Sequence, residues 1–223
     1  MRIRTNSRLA FGLLDLNGEI GRIEGGLGLA LESPSVELCA RRADGLAVSG
    51  VEPVPESVRR KFETMHTVFA ERHHTGGIAV RIEKTIPTHC GLGSGTQLAL
   101  AFGQARNLLY DLALSPYEVS LVAERGGTSG IGCAAFEMGG FLADGGHRFR
   151  CAGGKSAFAP SSASTAFAPA PILFQAPLPR AWSVVLATPR LAGRRTATRS
   201  GSCSARSARF PPWRRRRPRG SRS

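Results

Sequence analysis

The sequence predicts an α+β fold, and three observations carry that prediction. The first fifty residues read as strand, the stretch from Pro55 changes to a helical period, and a glycine-rich turn at 91–96 joins a strand pattern to a second helix. A chain of 223 residues, 42% apolar and 21% charged, can build a sizeable core, which excludes wholesale disorder.

The elements follow in order. RIRTNSRLAFGLLDL alternates in part, and GLGLALE and SVELCA continue the β-rich run, with Gly25-Gly26 and Ser33-Pro34 as turn signals. Val58, Phe62, Met65 and Phe69 fall at four- and three-residue steps, so an amphipathic helix runs to about Arg72, where Gly76-Gly77 breaks it. GIAVRIEKTIP alternates as a strand and stops at Pro87. After the glycine-rich turn, Leu98, Ala101, Phe102, Ala105, Leu108, Leu109 and Leu112 mark one face of a second helix. Ser115-Pro116-Tyr117-Glu118 is a capping box with proline at the first helical position, which starts a third helix running to about Arg125. In RGGTSGIGCAAFEMGGFLADGGH, glycines separate two short apolar strands. Residues 151–180, rich in Ala, Pro and Ser, read as a loop or poorly ordered segment, and WSVVLATP (182–189) as a short buried strand. The expected organisation is a domain over 1–150, a linker and the start of a second domain over 151–189, and a tail over 190–223.

Of the formal charge of +14, +12 belongs to that tail: Arg190–Ser223 holds 12 arginines and no acid, which leaves 18 basic against 16 acidic residues elsewhere. One reading is a basic arm that binds RNA or DNA. The favoured reading is the frame-shifted end of a G+C-rich gene, because WSVVLATP begins a strand that nothing downstream can pack against; nucleic-acid binding by the tail is then only non-specific. Cys39, Cys90, Cys133, Cys151 and Cys203 form no C-x-x-C pair, so neither a disulfide framework nor a zinc site follows. The start lacks the apolar core of a signal peptide, and nowhere do about 18 apolar residues run together. These features imply a soluble cytoplasmic protein that does not enter membranes.

The chemistry concentrates in glycine-rich turns. Gly91, Leu92, Gly93, Ser94, Gly95 and Thr96 combine a tight backbone turn, two hydroxyls and a following helix N-terminus, which is a site for phosphate or pyrophosphate. The loop lacks the lysine of a Walker A motif, and its G-x-G-x-G spacing is not the dinucleotide fingerprint. A plain strand-to-helix turn is the bland alternative. Gly127, Thr128, Ser129 and Gly130 form a second such stretch with paired hydroxyls. Asp144-Gly145-Gly146-His147 places a carboxylate and an imidazole on one turn. Asp144 suits a divalent cation or a substrate hydroxyl and His147 acid/base work or a substrate contact, while a hairpin turn explains both equally well. Asp15 fits a turn or a substrate contact, and Arg22 suits a phosphate or carboxylate, or solvent. His89 precedes the loop as a phosphate contact or a packed residue; His66, His73 and His74 read as surface residues.

Pro87-Thr88-His89-Cys90-Gly91-Leu92-Gly93-Ser94-Gly95-Thr96 resembles the phosphate loop of the GHMP kinase superfamily. G-L-G-S-G-T-Q-L, together with 11–32, 125–147 and 158–164, is similar to the β-ribofuranosylaminobenzene 5′-phosphate synthases within it. The resemblance implies a GHMP-kinase-like N-terminal domain and transfer of ribose 5-phosphate from phosphoribosyl pyrophosphate to 4-hydroxybenzoate or 4-aminobenzoate. Carbon dioxide and pyrophosphate leave, magnesium assists, and a homodimer is possible. It also implies a closing second domain that is missing or replaced after about residue 189. Kinases of the superfamily resemble one another at a P-S-G-I-D-N stretch whose aspartate acts near the acceptor hydroxyl; here Gly132 stands at that place, and a glycine takes no proton. A histidine often found in the family at Ala10 is also lacking. An ATP-dependent small-molecule kinase and a nucleic-acid-binding protein are the competing readings.

Overall fold

The computed structural model describes residues 1–88, 90–159, 164 and 166–187. Its backbone is one long strand with four others paired along it. β1 (Arg2–Asp15) and β2 (Arg22–Ala43) pair antiparallel over nearly their whole length. The expected Gly-Gly and Ser-Pro turns are absent: β2 runs through both, and the register slips between Asn6 and Ser7 so that Glu32, Ser33 and Pro34 have no β1 partner. A bulge absorbs extra residues in one strand without ending the ladder.

β3 (Leu46–Gly50) and β4 (Gly77–Lys84) lie parallel, which requires a crossover, and α1 (Glu56–His73) supplies it. The sheet order is β3-β4-β2-β5-β7, where β5 is Phe141–Asp144 and β7 is Ile172–Ala176; β1 and the two-residue β6 (His147–Arg148) also pair with β2. α2 (Ser94–Leu109), α3 (Pro116–Val122) and α4 (Ile131–Glu137) complete the layer.

The main core lies between the sheet and α1 and α2. Phe62, Met65 and Phe69 of α1 are buried as the period predicts, together with Val36, Leu38, Ile78 and Val80 from the strands. Phe62 stacks on Phe102 of α2 with ring centroids 4.3 Å apart. α2 buries Ala99 and Leu100 as well as the predicted face, whereas Leu108 is exposed and Leu112 lies past the helix end. The capping box forms: Ser115 Oγ accepts from the Glu118 amide, and Glu118 Oε2 accepts from the Ser115 amide at 2.8 Å.

Three expectations need correction. The first apolar run of 125–147 is helix α4, because a short apolar segment with Ala134 and Ala135 satisfies either period and here buries one face on the sheet. The segment expected as loop contributes β7, an edge strand along β5, so Ile172–Ala176 joins the same sheet. Residues 182–187 form no strand; Trp182 and Val185 are exposed and have no ladder partner among the described residues. Residues 188 and 189, His89 and the arginine-rich tail, with both readings of it, lie outside the described residues.

Candidate functional site

The chain leaves β4 at Lys84 and turns sharply before α2. Gly93, with φ +81°, sits in the left-handed region that favours glycine and caps α2 without a side chain. The first helical bond runs from the Gln97 amide to the Gly93 carbonyl at 3.0 Å, so the amides of Ser94, Gly95 and Thr96 have no acceptor within the helix. No acidic residue occupies the first turn. A Cβ built on Gly91 or Gly95 meets none of the described residues within 4 Å, so among them this face of the loop is open. Amides with no acceptor among the described residues, the positive end of a 16-residue helix and open space make a cradle for an anion.

Arg8 of β1 supplies the cation. Its amide donates to the Leu92 carbonyl at 3.0 Å, and its Nη1 donates to the Gly91 carbonyl at 2.8 Å. Burial pushes the guanidinium below its ordinary range, and no acidic neighbour among the described residues offsets that burial, but an arginine stays charged there. A Cβ on Gly93 would stand 2.9 Å from Arg8 Cγ, so the glycine also lets the arginine pass beneath the loop. The sequence reading missed Arg8 in this role, because only the fold joins β1 to a loop 83 residues away.

The second glycine-rich stretch is used differently. Gly127, Thr128, Ser129 and Gly130, expected to hold phosphate, form a packed turn. A Cβ on Gly127 would lie 1.8 Å from the Ser164 carbonyl oxygen, and one on Gly130 2.4 Å from that of Ala170. Thr128 Oγ1 donates to the Ala159 carbonyl at 2.8 Å, and Ser129 Oγ donates to Asp144 Oδ2 at 2.8 Å. Gly132, by contrast, faces the loop: its Cβ position is 3.2 Å from Thr96 Cγ2, and its carbonyl accepts from Gln97 Nε2 at 2.8 Å. α4 therefore begins against the N-terminus of α2 with no carboxylate at 132.

The remaining predicted residues are bound up internally. Asp144 is fully buried; Oδ2 also accepts from the Gly130 amide at 3.0 Å, and Oδ1 accepts from the Gly146 amide at 2.9 Å. His147 is buried between Glu24 and the Ala168 carbonyl, so the expected acid/base pair faces no open cavity. Arg22 donates through Nε to the Gly145 carbonyl at 2.5 Å and through Nη2 to that of Gly146 at 2.7 Å, clamping the turn instead of awaiting a ligand. Asp15 Oδ1 accepts from the Asn17 and Gly18 amides at 2.8 and 2.9 Å, the turn reading of that residue. His66 is half-buried at the surface, and its Nδ1 lies 2.6 Å from Arg106 Nη1. Burial pushes the Cys133 thiol up to about 11, which suits packing and not a thiolate nucleophile. Among the described residues no three of His, Cys, Asp and Glu gather as a metal site. With Asp144 spent on three internal bonds, the described residues offer no cluster that fits a magnesium ion held by the protein.

This arrangement has known counterparts. The GHMP kinases N terminal domain matches residues 59–140. The chain is 40% identical over 198 residues to β-ribofuranosylphenol 5′-phosphate synthase of Methanocaldococcus jannaschii, covering 85% of this chain and 60% of that protein. It is 44% identical over 193 residues to the synthase of the same name from Archaeoglobus fulgidus, covering 86% and 58%. The chain thus spans about 60% of the length of the curated relatives it matches. In fold it is similar to a putative sugar kinase from Campylobacter jejuni, with TM-score 0.52 at 16% identity over 64% of this chain and 51% of that one. Phosphomevalonate kinase of Streptococcus pneumoniae superposes with TM-score 0.52 at 12% identity over 66% and 48%. A helix N-terminus left open by G-L-G-S-G-T, on this sheet, therefore has its counterparts in the GHMP kinases N terminal domain, over residues 59–140, and in the β-ribofuranosylphenol 5′-phosphate synthases, over about 85% of this chain.

Proposed function

We propose that this chain binds the donor of a pentosyl transfer, in which ribose 5-phosphate passes from phosphoribosyl pyrophosphate to 4-hydroxybenzoate. The observation that carries the reading is the open N-terminus of α2 beside Arg8, in a chain whose relatives are named for making β-ribofuranosylphenol 5′-phosphate. The phenol in that name favours 4-hydroxybenzoate over 4-aminobenzoate, because loss of its carboxylate leaves a phenol.

In this mechanism the bond between the anomeric carbon and pyrophosphate breaks, and the leaving group takes the electron pair. The amides of Ser94, Gly95 and Thr96 and the Arg8 guanidinium stabilise that growing negative charge. The ring carbon bearing the carboxylate forms the new carbon–carbon bond. Carbon dioxide then departs and returns its bonding pair to the ring, so no proton transfer is needed. That balance agrees with a site holding Gly132 opposite Thr96 and with Asp144 and His147 acting within the protein and not on the substrate. Magnesium enters on the diphosphate as part of the substrate, since this ion keeps waters and phosphates in its shell more readily than an all-protein cage. A homodimer, a cytoplasmic setting and non-specific nucleic-acid binding by the tail are further parts of this proposal; the described residues include no helix long and apolar enough to cross a membrane.

The test is release of labelled carbon dioxide from carboxyl-labelled 4-hydroxybenzoate, dependent on phosphoribosyl pyrophosphate. Phosphate transfer from ATP to an alcohol or sugar, without that release, replaces the reading with the kinase one.

A further inference from the structure

A buried charged cluster lies apart from the open loop. Glu24 is 1% exposed and Lys155 2%. Lys155 Nζ donates to Glu24 Oε1 at 2.6 Å, and His147 Nδ1 meets Glu24 Oε2 at 2.6 Å. The other ring nitrogen of His147 stands 3.0 Å from the Ala168 carbonyl oxygen. Lys155 also donates to Ser164 Oγ at 3.2 Å, and Ser164 and Thr128 both donate to the Ala159 carbonyl, at 2.9 and 2.8 Å. The Phe167 ring lies 5.1 Å from the Lys155 ammonium.

Two features argue that this cluster does more than fill space. Glu24 holds φ +74°, a conformation glycine adopts without steric cost, although Gly25 and Gly26 follow it directly. A buried ion pair is also no better for stability than well-packed apolar residues, so its use here points to the geometry it fixes. That geometry leads toward the donor loop. Lys155 holds Ser164, Ser164 packs on Gly127 and bonds the region of Thr128, and the same turn passes through Gly130 to Gly132, which rests on Thr96.

We propose that Glu24 is a positioning residue for the donor site. Through Lys155 and Thr128 it holds the turn at 126–130, and with it the start of α4, against Thr96. The functional consequence rests on the diphosphate reading of Gly91–Thr96; the mechanical coupling does not.

The experiment uses the full chain and two variants. Glu24→Gly removes the carboxylate and relieves the left-handed strain at once. The double variant Glu24→Gln with Lys155→Met removes both charges together, so neither is left buried alone. Each is studied well below its own Tm by amide hydrogen exchange and by calorimetric titration with pyrophosphate. Faster exchange at 126–132 as well as at 147–168, with a pyrophosphate Kd raised at least tenfold in both variants, is expected. A purely structural cluster would lower Tm and leave the folded protein's affinity alone. Exchange that rises only at 147–168, or wild-type pyrophosphate affinity in both variants, overturns the proposal. Failure of the unmodified chain to bind pyrophosphate overturns the donor-site reading instead, and exchange at 126–132 then decides the coupling by itself.

Discussion

Arg8 and Gly93 act as one device, since the side chain of the first occupies the space that a Cβ on the second would need. Gly93→Val meets two penalties: a β-branched residue at φ +81° and a contact 2.9 Å from Arg8 Cγ. Strain of this kind costs roughly 1–3 kcal/mol, and relief by moving the loop spoils the spacing of the three free amides. Pyrophosphate Kd should therefore rise at least about tenfold, equivalent to about 1.4 kcal/mol. Arg8→Met isolates the charge, because the methionine keeps the packed stem and loses the donors. Hydrogen bonds to charged groups contribute about 1.5–3 kcal/mol, so this variant should bind pyrophosphate roughly ten- to a hundredfold more weakly, with a shallower salt dependence. Calorimetry at two salt concentrations reads both quantities, and unchanged affinity in the two variants would make the loop a plain turn.

At the scale of elements, α2 carries both the core and the cradle, so its packing sets how firmly the amides are held. Phe102 is fully buried and stacks on Phe62 of α1. Phe102→Ala should cost about 3–5 kcal/mol, read as a lower urea midpoint, because the cavity opens between two helices that cannot both collapse into it. The elements legible in the sequence are those whose signal is local. Phe62, Met65 and Phe69 repeat at helical steps, and Ser115 with Glu118 closes a cap within four residues. Ile131–Glu137 was misread because seven residues are too few to separate a buried strand from a buried helix. Ile172–Ala176 becomes strand only because β5 offers an edge, a partner that no local pattern reveals. The same limit applies to the site. Gly91–Thr96 is contiguous and was read from the sequence, whereas Glu24 and Lys155 meet across 131 residues and gave no sequence signal.

Over the whole molecule, the first part of the response to pH follows from Arg106, a buried cation with no carboxylate partner among the described residues. Arg106 is fully buried on α2; Nη1 contacts His66 Nδ1 at 2.6 Å, Nη2 donates to the Gly76 carbonyl at 2.8 Å and to Thr75 Oγ1, and the guanidinium lies between the Phe69 and Tyr110 rings. An arginine only donates, so His66 must accept and is neutral in the fold. Burial first, and the Arg106 charge second, hold the His66 imidazole below its ordinary 6.5. The unfolded chain then binds the proton at higher pH than the folded one, so this contribution is complete above about 6.5 and is lost as pH falls through it. A separate decline begins lower: hydrogen bonds from Ser115 hold Glu118 below its ordinary 4.5, and that contribution fades only as pH drops past this value. The urea midpoint should therefore be flat from about pH 8 to 7, fall first below about 6.5, and fall again below about 4.5. His66→Gln keeps an acceptor for Arg106 through its amide oxygen and removes the titration. In that variant the first decline should vanish and the second remain. An identical slope below 6.5 in both proteins would assign the acid sensitivity to another group and leave the buried Arg106 without a part in it.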